Sequence, residues 1–279
     1  MNKEGIIISI FFTSDFFIPC SSVLHSQFFL LLIFIKTFEL KFVAIIPARY
    51  AATRFPGKLM QLLNHQPIIV HTYLNTVATG LFSDVIVATD NEEIANAITA
   101  VNGKTFMSRK EHISGSDRIA EAAQHIDADV IINVQGDEPI VKREPLQKLC
   151  DLFKNEETKV GSLMHLITDE QTIADPNVVK VVVNLQNEAL YFSRSVIPFK
   201  RDESIAVNYY KHIGVYAYRK QTLSDITSFQ PTILEQAEKL EQLRMLENGI
   251  KIKMAITDPW SISIDTPADL DKAKRILES

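Results

Sequence analysis

From Phe42 onward the chain alternates short apolar runs with amphipathic stretches, the rhythm of strand–helix–strand units around a mainly parallel sheet. Residues 42–47 are almost continuously apolar and predict a buried strand; residues 48–58 then form a loop rich in Arg, Pro and Gly. Pro67 opens a predicted helix whose apolar side carries Val70, Leu74 and Val77, and Gly80 stops it. Residues 84–88 predict the next strand. Asp90, with Glu93 three residues later, predicts a capping box for the helix that follows. A third strand at 130–134 runs into Gln135-Gly136-Asp137-Glu138-Pro139. Loops leaving the carboxyl ends of such strands are where open α/β sheets bind ligands.

After a predicted helix over 146–153 the pattern changes to strands in close succession, at 178–183, 189–192 and 212–218. This region reads as antiparallel and hairpin-rich, either a smaller lobe or an extension of the sheet. Helix returns over 233–247, ended by Asn248-Gly249, and a last helix starts at Thr266-Pro267 with Asp269 in its first turn. The first forty residues break this rhythm. Their apolar runs at 5–12 and 28–35 are separated by Asp15, Pro19, His25 and Gln27, and neither reaches the roughly 20 apolar residues of a spanning helix. The split run, with Glu4 beside it, also fits a signal peptide poorly. Residues 1–40 are therefore expected to be an N-terminal extension outside the native fold. Leu40 is read as an alternative start codon, with the working domain spanning 41–279.

Composition narrows the function classes. In 279 residues, 46% are hydrophobic and 23% charged, an ordinary globular balance. A formal net charge of -5 argues against nucleic acid as the main partner, since phosphate-backbone binding needs a basic face. The two cysteines, Cys20 and Cys150, stand in unrelated contexts. They suit a reducing cytoplasm and supply no zinc or disulfide framework.

Against that acidic background, the loop at 47–58 places Arg49, Arg54 and Lys58 among the small residues Ala48, Ala51, Ala52 and Thr53, directly after a strand. Small side chains let backbone amides approach a polyphosphate while the cations neutralise it. A solvated basic turn is the ordinary alternative, but strand placement and the Pro56-Gly57-Lys58 ending favour a triphosphate cradle. It is not a Walker A loop. Asp137 lies in a Gly-Asp turn where a carboxylate can hold a hard cation, though turn chemistry alone also explains it. Asp265 precedes a helix start, where the dipole favours an acid. Capping by Ser116 explains part of the segment 114–118 equally well.

Residues 42–58 resemble the N-terminal signature of the sugar-nucleotide transferases that make CMP-sugar acids. The likeness continues through Val87-Ala88-Thr89-Asp90, Ser114-Gly115-Ser116-Asp117-Arg118, residues 135–139, Tyr191-Phe192-Ser193-Arg194, His212-Ile213-Gly214-Val215-Tyr216, Leu240-Glu241-Gln242-Leu243-Arg244 and Ile264-Asp265-Thr266-Pro267. Several motifs in order are far more specific than any one. They point to the 3-deoxy-manno-octulosonate cytidylyltransferases, the CMP-KDO synthetases of lipopolysaccharide assembly. The resemblance implies a Rossmann-like nucleotidyltransferase fold in the α/β class, a mainly parallel central sheet with an antiparallel hairpin-rich extension. It implies CTP and KDO as substrates, Mg2+ as cofactor, a cytoplasmic homodimer, and no nucleic-acid or membrane partner.

Carried onto this chain, the resemblance makes Arg49, Arg54, Lys58 and Asp137 catalytic and gives Asp137 and Asp265 to the metal. Nucleotide contacts fall to Ala48, Arg49, Thr53, Lys58, Ser114, Gly115, Arg118 and Gln135. Sugar contacts fall to Gln135, Arg194, His212, Tyr216, Glu241 and Gln242. His212, Gly214, Tyr216 and Tyr218 alternate along one strand and share a face, and Arg194 suits a sugar carboxylate because a guanidinium binds it bidentately. Family members commonly carry a serine where Ala51-Ala52 stand, so a hydroxyl contact to phosphate would fall to Thr53 or be missing. The competing expectations are a CMP-sialic acid synthetase, a non-catalytic nucleotide-binding protein on the same fold, and a membrane-anchored protein.

Overall fold

The structure is a computed structural model, and it describes residues 40–50, 55–109, 112, 114–258 and 263–277. The expected 1–40 extension lies, apart from Leu40, outside the described residues. The β-branched run of β1 (Phe42–Ala48) forms the centre of a nine-stranded sheet. It pairs in parallel with β4 (Asp84–Thr89) on one side and β6 (Val130–Asn133) on the other. Beyond β4 lies parallel β5 (Lys104–Met107). The chain thus moves outward from β1 to β4 and β5 and then returns to β1's other side as β6. That reversal is a topological switch point, which opens a crevice at the carboxyl ends of β1 and β6.

Past β6 the sheet turns antiparallel around the eleven-residue β10 (Tyr209–Arg219), which pairs with β6, with β7 (Val160–Ile167) and with β8 (Lys180–Val183). β8 forms a hairpin with β9 (Ala189–Ser193), and β11 (Ile252–Ile256) closes the far edge parallel to β7. The middle region is therefore an extension of the sheet. The remaining pair, β2 (Leu62–Leu63) and β3 (Gln66–Pro67), is a two-stranded ribbon that leads from the loop after β1 into the first helix.

Strand alternation divides the core between the two faces of the sheet. Ala44 and Ile46 of β1 face α1 (Ile68–Ala78), α2 (Glu92–Thr99), α4 (Arg143–Asp151) and α9 (Pro267–Leu277), and Leu40 packs against this side. Val43 and Ile45 face α3 (Gly115–Gln124), α6 (Lys220–Ser228) and α8 (Gln242–Glu247). The other helices, α5 (Glu170–Ala174) and α7 (Ile233–Glu238), flank the hairpin in sequence. Among the described residues no helix is long and apolar enough to cross a membrane.

Four local expectations are corrected. α1 buries Ile69, Val70, Thr72, Tyr73 and Thr76, while Leu74 and Val77 are exposed. Threonine wins the inner face because its hydroxyls find carbonyls: Thr72 donates to Gly136 O at 2.9 Å and Thr76 to Thr72 O at 2.7 Å. Asn91, not Asp90, caps α2, accepting from the Ile94 amide at 3.0 Å. Ser114, not Ser116, caps α3, in a reciprocal box with Asp117. The expected helix over 233–247 is two short helices, because Lys239 adopts a left-handed conformation with φ 56° between them.

Candidate active site

The crevice at the switch point is walled by the loops after β1 and β6. Gly57, at φ 63°, turns the first loop into a short 3-10 helix over Lys58–Met60; its left-handed backbone suits glycine, and the buried Leu59 next to Lys58 anchors the turn. The second loop is held from below by α1, through Thr72 on Gly136 O and Asn75 Nδ2 on Pro139 O at 2.6 Å. Gly136 permits a close approach, since a Cβ there would lie 3.0 Å from Pro47 O and 3.2 Å from Ile69 Cδ1. The segment before α9 joins them through the Ile264 amide, which donates to Asp137 O at 3.0 Å.

These three segments bring together Lys58, Asp137 and Asp265. Lys58 Nζ donates to Asp137 Oδ2 at 2.5 Å and to Asp265 Oδ1 at 3.1 Å. Burial alone would lower the Lys58 pKa, but attraction to and hydrogen bonding with both carboxylates outweigh it, so the ammonium is held above its ordinary value and stays charged. Asp269 Oδ2 accepts from the Thr266 amide at 2.9 Å and the Asp269 amide donates to Thr266 Oγ1 at 3.3 Å, so the α9 cap is made by that pair. Two hard carboxylate oxygens already sharing one cation are a donor set that fits magnesium, which takes one or two carboxylates and completes its shell with phosphates and water. Among the described residues, no group of three or more His, Cys, Asp and Glu side chains is arranged to hold a metal.

On the nucleotide side, Ala48 is buried at the end of β1 and Arg49 is exposed beside it, while Thr53 and Arg54 lie outside the described residues. Gly115 abuts the end of β1, because a Cβ on it would sit 3.6 Å from Pro47 Cγ. Arg118 is buried with Nη2 on Asp90 Oδ2 at 2.6 Å, and its Nη1 has no partner among the described residues. Asp90 is thus a charge partner to Arg118 rather than a helix cap, a role that adjacent Asp and Asn left ambiguous in sequence. Gln135 Nε2 donates to Asn133 Oδ1 and to Gly214 O, each at 3.2 Å, tying the β6 loop to β10.

β10 carries the expected sugar-binding face. A bulge between Ile213 and Tyr216 leaves two residues unpaired, which keeps the alternation in phase and aims Gly214 O at Gln135. His212 and Tyr216 remain neighbours, 5.4 Å between ring centroids, and Tyr216 stacks on Tyr218 at 5.7 Å. His212 is buried beside Phe192 and Ser162, and burial pushes its pKa down to about 3, so the ring is neutral. The buried Tyr216 hydroxyl has no partner among the described residues. Burial also raises Glu241, although hydrogen bonds from Ser114 and Ser116 oppose it. A residue expected at the sugar thereby meets one expected at the nucleotide. Gln242, beside it, is buried.

Arg194 is placed otherwise than a free carboxylate clamp. Its Nε donates to Glu238 O at 2.9 Å and Nη1 to Pro176 O at 3.1 Å, while the Glu238 carboxylate accepts from Ser193 Oγ and the Arg194 amide. The fully buried Lys180 adds Arg194 O to two further carbonyls, of Asp175 and Val178. Sequence reasoning passed over Lys180 and Glu238; a lysine inside an apolar strand was the available signal.

The chain matches the family model described as cytidylyltransferase over residues 43–252. The 3-deoxy-manno-octulosonate cytidylyltransferase of Flavobacterium johnsoniae is 52% identical over 241 residues, covering 85% of this chain and 99% of that one. That of Christiangramia forsetii is 48% identical over 240 residues, with 85% and 97% covered. A solved structure of CMP:2-keto-3-deoxy-manno-octonic acid synthetase complexed with CTP superposes with a TM-score of 0.82 at 38% identity, over 85% of this chain and 98% of that one. A 4-diphosphocytidyl-2C-methyl-D-erythritol synthase from Anaerococcus prevotii shares the fold alone, with a TM-score of 0.59 at 13% identity.

Proposed function

The chain belongs to the cytidylyltransferase family, and from that premise we propose that it activates 3-deoxy-D-manno-octulosonate with CTP, giving CMP-KDO and pyrophosphate. The observation that carries the reading is the convergence of Lys58, Asp137 and Asp265 at the switch-point crevice. The anomeric hydroxyl at C2 of the sugar acid attacks the α-phosphorus in line, and the new P–O bond forms as the bond to pyrophosphate breaks. Arg49 and Lys58 neutralise the departing pyrophosphate, with Arg54 and Thr53 completing the same loop. Ser114, Gly115, Arg118 and Gln135 orient the nucleotide, the free Nη1 of Arg118 being a donor in need of an acceptor. Gln135 from the loop after β6, Tyr216 from β10, and Glu241 and Gln242 at the start of α8 face the sugar, with His212 packed behind Tyr216 as a neutral support and Arg194 at the rim.

Asp137 and Asp265 would hold Mg2+, which when bound withdraws charge from the phosphate oxygens. Positioning and charge stabilisation then supply the acceleration, without a covalent enzyme intermediate. Residues 41–279 carry this activity, and truncating the preceding forty should preserve it. The protein works as a homodimer that meets through the hairpin region, where Leu190, Val196, Phe199 and Ile205 are exposed apolar side chains. Pyrophosphate release with each nucleoside triphosphate and a panel of sugar acids tests the assignment. Equal turnover with a sialic acid, or with another nucleotide, would sink it.

A further inference from the structure

Lys58 holds a position that its role as a phosphate contact does not require. Its ammonium lies between two carboxylates whose residues are 79 and 207 positions away in sequence, and its side chain is only 14% exposed. The backbone beneath it is fixed: the Lys58 amide donates to Phe55 O at 3.1 Å, Met60 N to Gly57 O at 2.9 Å, and Leu59 is buried. The four-carbon stem above it carries several rotatable bonds. Two carboxylates drawn to one point repel unless a cation lies between them, and a divalent cation entering the same point would be repelled by the resident ammonium.

We propose that Lys58 is the internal counter-ion of the Asp137–Asp265 pair, occupying the cation position in the nucleotide-free protein and surrendering it only when a triphosphate offers the ammonium a new partner. The inference rests on the reading that these carboxylates hold the metal. Divalent cation and CTP therefore enter together, the nucleotide drawing Lys58 off the carboxylates as the metal takes its place. Lys58 keeps the pair from repelling when empty and keeps the free protein from loading metal without substrate.

The test titrates Mn2+ alone into the full chain, without nucleotide, and follows bound ion by electron paramagnetic resonance. Lys58→Met should bind Mn2+ at least about tenfold more tightly than wild type, a difference of about 1.4 kcal/mol. Lys58→Arg, which keeps the charge, should bind as weakly as wild type, and Asp137→Asn in the Lys58→Met background should abolish the gain. Lys58→Gln serves as the second neutral variant should Lys58→Met fail to fold, and Mn2+ should raise the melting temperature of either neutral variant more than that of wild type. Neutral variants with unchanged or weaker Mn2+ affinity overturn the proposal. A parallel titration with CTP present separates the two readings. Should the neutral variants fail to bind Mn2+ more tightly, loss of that binding in Asp137→Asn leaves the metal reading standing and refutes the counter-ion alone; if Asp137→Asn leaves the binding intact, both fall.

Discussion

The two halves of the sheet hold their charged groups in different ways. At the carboxyl ends of β1 and β6, Lys58, Asp137 and Asp265 are held by one another, three side chains from distant segments that share one ion-pair cluster at the edge of solvent. In the antiparallel extension, Lys180 and Arg194 are held by backbone carbonyls, and His212 and Tyr216 are sealed by aromatic neighbours. Charges that satisfy each other can be exchanged for a ligand's charges without unravelling the backbone. A cation that satisfies carbonyls cannot leave, so it fixes the shape of the chain around it. The first half is built to change partners and the second to keep geometry.

The largest expected effect separates the halves outright. Asp137→Asn keeps size and turn propensity but removes the charge, so turnover should fall on the order of 10²- to 10³-fold while the melting temperature barely moves. Asp265→Asn should act in the same direction, and the double variant should lose much less than the product of the two. Turnover measured against magnesium concentration, alongside melting, checks this; a normal magnesium response in the Asp265 variant would remove it from the site.

Lys180→Met should do the reverse. It strands three half-buried carbonyls, each bond worth about 1 kcal/mol, so stability in a urea titration should fall by up to about 3 kcal/mol. KM for the sugar acid should rise more than kcat falls, because the Arg194 segment loosens. Unchanged stability would show that the carbonyls find other donors.

Acid should also probe the second half. His212 has a folded-state pKa pushed below its unfolded value, to about 3. The unfolded chain therefore takes up the extra proton, and the stability His212 contributes is full above about pH 6.5 and is lost as pH falls toward 3. His212→Gln should remove this component, flattening the fall by up to about 1.4 kcal/mol per pH unit in that window. Parallel denaturation curves for the two proteins at pH 7 and 5 measure it, and equal losses would contradict the burial argument.

The smallest effect divides neighbours. Asp269→Ala should cost α9 about 0.5–2 kcal/mol through its cap and leave turnover intact, whereas Asp265→Asn should leave the melting point nearly alone. Thermal melts and initial rates on the same two preparations decide it, and exchanged phenotypes would return Asp265 to the helix.

Local pattern alone determined much of this protein. Buried strands such as β1, β4 and β6 are continuous apolar runs bounded by turn residues, and the two periodicities of strand and helix are properties of neighbours in sequence. The ordered motifs carried the family, and with it the candidate site residues. The short edge strands β5 and β11, and β7 with its polar Ser162 and His165, were not legible, because their status depends on which strand lies alongside. Caps slipped by one or two residues where two capping types stand close together, at Asp90-Asn91 and Ser114 to Ser116. Only the tertiary structure decided that Asp90 serves Arg118, that Ser114 and Ser116 meet Glu241, and that Lys58 stands between Asp137 and Asp265. The physical reason is range: hydrophobic periodicity is written over a few residues, whereas an ion pair forms wherever the sheet order brings two charges together, and that order turns on the reversal at β6, which no local stretch encodes.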